Sequence, residues 1–418
     1  MKVLVIGGGG REHALCWALR RSSRVTDLVC APGNAGIAAI AECMPVQQDD
    51  LADMLRVVDA VAPALVVVGP EVPLAAGIVD ALQERGIRAF GPTKAAAQLE
   101  SSKAFTKDFL QRHKIPTARY VTVSSLDEAR EALPQFTLPV VVKADGLAAG
   151  KGVIIATTAA EADGAIEELM SLGGTLVLEE FLTGEELSFF ALCDGTTAVS
   201  IAAAQDHKRI GEGDTGPNTG GMGAYSTDAL LPDELRDWLL QHVAQPTVDG
   251  MRAEGNPFQG ILFCGIMMTP SGPSVLEFNT RWGDPETEAI LLRMETDVME
   301  LIDASIDGTA KELKIVMKPG ASVCVIAASA GYPASAEKSV VIHGLESTLP
   351  GGVEVFHAGT ALDAKGDVVT AGGRVLGVTA VADNLRRALG KAYDALGNIS
   401  FRGMQFRRDI GWRALSRE

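Results

Sequence analysis

Two lysines in a glycine-rich turn are the residues most able to do chemistry. The segment Pro-Val-Val-Val-Lys-Ala-Asp-Gly-Leu-Ala-Ala-Gly-Lys-Gly, residues 139–152, runs as an apolar strand into Lys143. It then turns through Gly146, Gly150 and Lys151 and returns as a second apolar strand. Glycines allow left-handed backbone and let N–H groups converge on an anion, and the ammonium groups add charge beside them. That combination wraps a polyphosphate, so the first expectation is a nucleoside triphosphate. A plain β-hairpin accounts for the glycines but not for a lysine ending a strand of buried character.

A second constellation lies far downstream, in Glu277-Phe-Asn279-Thr-Arg281-Trp-Gly-Asp284-Pro-Glu286. Glu277 and Asn279 are two apart on an expected strand and so share a face. A carboxylate and an amide oxygen there suit Mg²⁺, which fills its shell with phosphate oxygens and water. The facing strand is expected to offer only Ile266, Met267 and Met268, hence no further carboxylate. Arg281 has the geometry to clamp a carboxylate or phosphate, and surface ion pairing accounts equally well for Asp284 and Glu286. Glu179, Glu180, Phe181, Leu182 and Glu186 leave a buried strand into an acidic turn. Strand-end backbone there could meet an adenine edge, and a carboxylate the ribose hydroxyls.

Near the N-terminus, Gly7–Gly10 resembles a dinucleotide turn but has Glu12 or His13 where a packing glycine belongs. A nicotinamide cofactor is therefore weakly supported. The turn still makes an anion site at a helix N-terminus, reinforced by Arg11 and His13.

These groups need scaffolding. Over residues 1–100, strands at 3–6, 27–30, 64–68 and 88–90 alternate with helices at 12–20 and 75–85. That pattern predicts a parallel, doubly wound sheet with ligands at the strand carboxyl ends. A helix at 102–113 leads to a split β-α-β-β-α-β unit over 120–179, small enough to act as a lid. Antiparallel strands at 187–193 and 198–204 precede a polar, glycine-rich loop, 205–223. It is too long to be idle in a compact domain and is expected to bind ligand. A helix at 233–251, a hairpin over 260–278, strands at 323–327, 353–357 and 374–379, a helix at 384–396 and a basic tail complete the chain.

Composition sets the bounds. With 418 residues, two to four domains are expected. A formal charge of −16 argues against nucleic acid as a main partner, so any phosphate site must be local. Six scattered cysteines without a C-x-x-C pair fit buried thiols in a reducing compartment. No apolar run is long enough to span a bilayer, and a cytoplasmic protein is expected.

With these residues identified, the chain resembles the glycinamide ribonucleotide synthetase (phosphoribosylamine–glycine ligase) family of the ATP-grasp superfamily. The resemblance runs nearly end to end. It is carried by Gly-Gly-Arg11-Glu12-His13, Ala-Pro-Gly-Asn34, Val-Gly-Pro-Glu71, Ser-Lys103-Ala-Phe, the 143–152 turn and Gln-Asp-His-Lys-Arg over 205–209. Asp214-Thr-Gly-Pro-Asn218-Thr-Gly220-Gly221-Met-Gly and Gly-Asp-Pro-Glu286 add to it. It implies an α/β fold of ATP-grasp architecture: an N-terminal doubly wound domain (1–100), a central ATP-grasp domain (101–312, lid about 120–186) and a C-terminal strand-rich domain (313–418).

The activity implied is ligation of glycine to 5-phosphoribosylamine with ATP cleaved to ADP and phosphate, through glycyl phosphate. Lys103, Lys143 and Lys151 would neutralise phosphates with the Gly150 turn, and Glu277 and Asn279 would hold Mg²⁺ or Mn²⁺. Glu179 to Leu182 would line adenine, with Glu186 on ribose. Arg281 would stabilise the transferred phosphate, and Asp214 would take glycine's ammonium, with Asn218, Gly220 and Gly221 holding the substrates. Gly9, Gly10, Arg11, Glu12, His13, Asn34 and Glu71 would seat the ribose phosphate. A monomer or weak homo-oligomer is expected. This chain departs from the family in having Gly8 in place of an asparagine, a shortened loop at 171–174 and Trp282 in place of phenylalanine. Other ATP-grasp ligases or carboxylases are the alternative, with a nicotinamide-dependent dehydrogenase and a non-catalytic nucleotide-binding regulator behind them.

Overall fold

The computed structural model describes residues 1–147 and 152–417. In the first hundred residues, valine-rich strands pair in parallel in the order Glu42–Cys43, Asp27–Pro32, Lys2–Gly7, Leu65–Val68, Arg88–Phe90. The pairings Gly7↔Pro32 and Ile6↔Val68 bring three strand ends to one edge. The glycine turns at 7–10, 33–34 and 69–71 therefore meet, as the strand–helix alternation predicts. The helix expected over 75–85 is two helices, Glu71–Ala76 and Ile78–Glu84, broken where Gly77 adopts φ +94°. The helix Leu51–Val61, capped by the Asp50 carboxylate, went unforeseen.

Ser102 accepts a hydrogen bond from Phe105 N and starts the helix Lys103–Arg112. The split unit follows as expected, an antiparallel sheet ordered Tyr120–Val123, Leu176–Glu180, Val140–Ala144, Val153–Ala156. The helices Leu126–Ala132 and Ala159–Gly173 bury Ala129, Ala162, Ile166 and Leu169 against it.

Among the described residues, the remaining long strands form one eight-stranded sheet. From one edge the order is Gly272–Asn279, Gln259–Thr269, Glu185–Asp194, Ala198–Asp206, Gly223–Thr227, Ala321–Ala328, Arg374–Ala382, Val353–His357. The C-terminal strands thus extend the central sheet. The join is narrow, with only Gln205↔Tyr225 and Asp206↔Ala224 paired across it. Part of the expected loop 205–223 is a hairpin, Arg209–Gly211 against Thr215–Asn218. The helix Glu286–Arg293 is buried along its whole length; its eight residues, half of them apolar in one run, show no amphipathic stripe.

The first domain packs on this sheet through His13, whose ring lies 5.6 Å from those of Phe356 and His357. His357 N donates to His13 Nδ1 at 2.8 Å. Burial, then the neighbouring His357, pushes His13 down to about 3, and burial pushes His357 down to about 4. His207 is also pushed down to about 4, by burial and then Arg407, while its Nε2 accepts from Gly411 N. Each binds a proton more readily once unfolded, near pH 6.5, so its stabilising contribution is present above that pH and lost as pH falls towards the folded value. Melting temperature should therefore fall steadily between about pH 6.5 and 4, before most carboxylates protonate, and His357→Gln should flatten part of that slope. A melting temperature flat from pH 7 to 4.5 would contradict neutral burial of these rings.

Candidate active site

A cavity of about 440 Å³ opens where the three sheets meet. One wall carries Lys103, Lys107, Lys143, Glu277 and Asn279; the other carries Arg11, Glu71, Arg281, Asp284, Arg374 and Gly220.

On the first wall two ammonium groups share one carboxylate. Lys143 ends the strand Val140–Ala144, and its Nζ lies 2.9 Å from Glu179 Oε1. Glu179 is 2% exposed and also holds Lys107 Nζ at 2.8 Å. Glu179 is buried near the end of the strand Leu176–Glu180, and its carboxylate is the counter-ion of two lysines. Lys107 was missed. Its position one helical turn after Lys103, on the same face, was the available signal. Burial pushes its ammonium down to about 8, against the pull of Glu179, so it stays charged at neutral pH. Lys103 Nζ donates to Gly146 O at 2.8 Å. Burial lowers its ammonium, partly countered by Glu277. Gly150 and Lys151 lie outside the described residues.

Glu277 faces Gly265 and Asn279 faces Phe263, because the ladder shifts register between Gly265 and Ile266. The expected neighbours Ile266 to Met268 instead pair with Val275, Ser274 and Pro273. Burial raises the Glu277 carboxyl, but Lys208, then Lys143 and Lys103, outweigh this and hold it below the ordinary range. Among the described residues no three or more His, Cys, Asp or Glu side chains gather as a metal cluster. One ionised carboxylate and one amide oxygen fit a divalent ion that arrives with a polyphosphate and is completed by it.

On the second wall Arg281 Nη2 meets Glu100 Oε1 at 2.8 Å, and Nε approaches Glu71 Oε2 at 3.3 Å. Burial raises the Glu71 carboxyl, yet Arg281 and then Arg11 hold it below the ordinary range. Glu100 was missed; it also accepts from Thr280 N at 2.8 Å, tying the first domain's last helix to the end of the strand Gly272–Asn279. Arg374, also missed, pairs with Asp284 at 3.1 Å and donates to Asp284 O at 2.7 Å. Asp284 and Glu286 are not a surface pair. The Glu286 carboxylate is buried and accepts from Ser188 Oγ at 2.9 Å, because the helix it starts is wholly internal.

The first glycine turn encloses a carboxylate of its own. Gly9 N donates to Glu12 Oε2 at 2.7 Å, and Arg11 Nε lies 2.5 Å from Glu12 Oε1. A Cβ at Gly7 or Gly69 would run into the Glu12 side chain. These glycines make room for Glu12, and Gly10 starts the helix. Arg11 reaches the cavity, but His13 does not reinforce an anion site: it is neutral and turned into the domain interface. Asn34 is a bracket, its Nδ2 donating to Gly8 O and His357 O and its Oδ1 accepting from Gly36 N and Ile37 N.

Several expected residues stand apart from the cavity lining. Asp214 is held at 2.9 Å by Arg407, which is 1% exposed, and by Arg413. Asn218 is exposed on the hairpin, whereas Gly220 reaches the cavity and Gly221 packs on Pro285 and Asp206. Glu180 is exposed with its N–H given to Arg119 O, and Phe181 and Leu182 are half-buried beyond it. Glu186 pairs with Lys208 at 2.7 Å on the rim of a separate groove.

Three consecutive family descriptions match the chain: phosphoribosylglycinamide synthetase N domain over residues 1–100, ATP-grasp (A) domain over 101–287 and C domain over 322–413. The phosphoribosylamine–glycine ligase of Xylella fastidiosa strain 9a5c is 49% identical over 427 residues, covering 100% of this chain and 98% of that one. The chain belongs to the phosphoribosylglycinamide synthetase family. The same enzyme from Brucella melitensis is 47% identical over 424 residues, with 100% and 99% covered. The crystal structure of phosphoribosylamine–glycine ligase from Thermotoga maritima superposes with TM-score 0.84 at 34% identity, covering 98% of this chain and 100% of that one. A biotin carboxylase from Campylobacter jejuni, solved as a β,γ-ATP complex, shares the fold at TM-score 0.76 and 14% identity over 99% and 95% of the two chains. The fold is three-domain ATP-grasp, and ATP use goes with the family.

Because Asp214 is a counter-ion of the buried Arg407, Asp214→Asn should destabilise the protein by about 1–3 kcal/mol in urea unfolding. Unchanged stability with a selective rise in the glycine KM would return Asp214 to the substrate site.

Proposed function

We infer that this chain ligates glycine to 5-phosphoribosylamine, giving glycinamide ribonucleotide, ADP and phosphate, a step of purine biosynthesis. One observation carries the reading: a single cavity joins a lysine-lined wall bearing Glu277 and Asn279 to a wall of guanidinium and carboxylate groups from all three domains. Phosphoryl transfer needs positioning and charge neutralisation more than a protein nucleophile. Lys103 and Lys143, with Lys151, hold the phosphates of ATP, while Glu179 orients Lys143. Glu180 to Leu182 accept the adenine, and Glu186 accepts the ribose after release from Lys208. Glu277 and Asn279 hold Mg²⁺ or Mn²⁺, which when bound neutralises phosphate oxygens.

Glycine's carboxylate attacks the γ-phosphorus, the bond to the β-phosphate oxygen breaks, and glycyl phosphate forms with ADP. The sugar amine then attacks the acyl carbon, phosphate leaves, and the amine gives up a proton. Arg281 steadies the transferred phosphoryl group. Arg11 and Glu71 lie where the ribose phosphate and its hydroxyls enter. Gly220 and Gly221 let that substrate approach the backbone.

The enzyme works in the cytoplasm as a monomer or weak homo-oligomer on small molecules. Among the described residues no helix is long and apolar enough to cross a membrane. The functional units run 1–100, 101–312 and 313–418.

Phosphate release with ATP, Mg²⁺, glycine and freshly made phosphoribosylamine tests the assignment; turnover only with other acids or amines would move it to a sister ligase. Glu277→Ala should lower kcat at least about 100-fold with the fold intact, as expected for a lost ligand to the charge-neutralising ion. Near-normal turnover would remove Glu277 from the site. Lys143→Ala should raise the ATP KM about tenfold or more, the worth of a charge-assisted phosphate contact. An effect on melting temperature alone would make Lys143 structural.

A further inference from the structure

Glu179 holds two ammonium groups that are tethered unequally. Lys107, on the helix Lys103–Arg112, is 2% exposed and touches Glu179 Oε2 at 2.8 Å. It also donates to Thr117 Oγ1 at 2.7 Å, and Thr117 donates onward to Val275 O at 2.7 Å. Lys107 is therefore fixed from two sides. Lys143 touches the other oxygen, Oε1, at 2.9 Å, and its second contact, Leu276 O, is longer at 3.4 Å. Lys103 from the same helix and Glu277 from the strand Gly272–Asn279 are the other charged groups on this wall. The cluster of one carboxylate and two ammoniums carries one net positive charge, so one lysine is in excess.

We propose that Lys107 is a positioning residue for the phosphate lysine: it stays on Glu179 as a fixed counter-ion and so frees Lys143 to move from Glu179 to the nucleotide's phosphate. The proposal rests on the nucleotide reading above. A buried carboxylate stripped of its cation is strongly unfavourable. With Lys107 in place, the departure of Lys143 leaves Glu179 neutralised. Without it, Lys143 is the carboxylate's remaining close partner and its transfer is opposed. Thr117 and the strand it bonds hold Lys107 back from following.

The test uses the full-length enzyme and three variants, with the ATP KM, the glycine KM and equilibrium binding of a non-hydrolysable ATP analogue as readouts. K107M should raise the ATP KM about tenfold or more, with the glycine KM changed less than about twofold. K107R, which keeps the charge, should stay within about threefold of the wild type. Adding E179Q to K107M should recover ATP affinity, because the carboxylate that retains Lys143 is gone. An unchanged ATP KM in K107M, or a double variant no better than K107M, overturns the proposal. If K107M alone does not fold, the double variant, in which Lys143 faces no carboxylate at position 179, carries the comparison: its ATP KM should lie well below that of K143M, and equality overturns the proposal. A wild-type protein that fails to bind the analogue would remove the nucleotide reading itself, separately from the role of Lys107.

Discussion

A cation that faces a closed cavity must be neutralised before its ligand arrives, and this requirement shapes the whole site. An isolated ammonium or guanidinium removed from water is too costly to keep, so most are stored against a carboxylate, while Lys103 rests on Gly146 O. Glu179 stores Lys107 and Lys143, Glu71 and Glu100 store Arg281, Glu12 stores Arg11, and Asp284 stores Arg374. The arrangement lets an acidic chain, with a formal charge of −16, build a polyanion site. Six cations, Arg11, Lys103, Lys107, Lys143, Arg281 and Arg374, are concentrated at the cavity. Binding is then an exchange of partners rather than the capture of a free anion by a free cation, which limits affinity but gives selectivity for ligands that present anionic oxygens in the right places.

Storage of this kind also joins the domains. Glu100 belongs to the last helix of the first domain, yet its carboxylate binds Thr280 N and Arg281 at the end of a central strand. Arg11 donates to Trp282 O, and Asn34 to His357 O, across the same boundary. The residues that would handle substrate are thus the residues that fix one sheet against another. A site assembled this way is preorganised by the packing that defines the fold, and a change at Arg281 or Arg11 touches both.

What could be read from the chain followed its physical signals closely. The parallel N-terminal sheet and the split lid unit are announced by valine-rich strands and punctuating glycines, and both are present. Lys143, Glu277, Arg281, Glu71 and Arg11 were identifiable because charged residues at the ends of apolar strands or beside glycine turns stand out, and all five line the cavity. Lys107 and Glu100 were passed over because each lies on a helix where a charge looks like ordinary surface, and Arg374 was passed over although two glycines precede it at the start of an apolar strand. Only the packing of three sheets shows that they are inside. The helix Glu286–Arg293 is a related case, since Glu286, Glu288 and Arg293 are buried charges flanking or preceding the apolar run 289–292. Asp214 shows the limit of reading type alone: a carboxylate in a glycine-rich loop reads as a ligand for an ammonium group, and the structure places it on Arg407 and Arg413.

That anchor bears on how the site would close. The hairpin Arg209–Gly211 with Thr215–Asn218 leads straight into Gly220, which lines the cavity, while its tip is tied to the C-terminal segment through Asp214. Arg407 is nearly inaccessible and is shared between Asp214 and Asp409, whose carboxylate also accepts from Gly213 N at 2.8 Å. A loop held at its tip cannot swing freely, so the substrate wall is the rigid jaw. Of the opposite wall, Lys143 belongs to the small four-stranded unit, which has its own core, while Lys103, Lys107, Glu277 and Asn279 stand on the helix Lys103–Arg112 and the strand Gly272–Asn279. That unit meets this wall through ionic and polar pairs, Lys107 with Glu179 and Ser102 with Asp145, rather than through a shared apolar core.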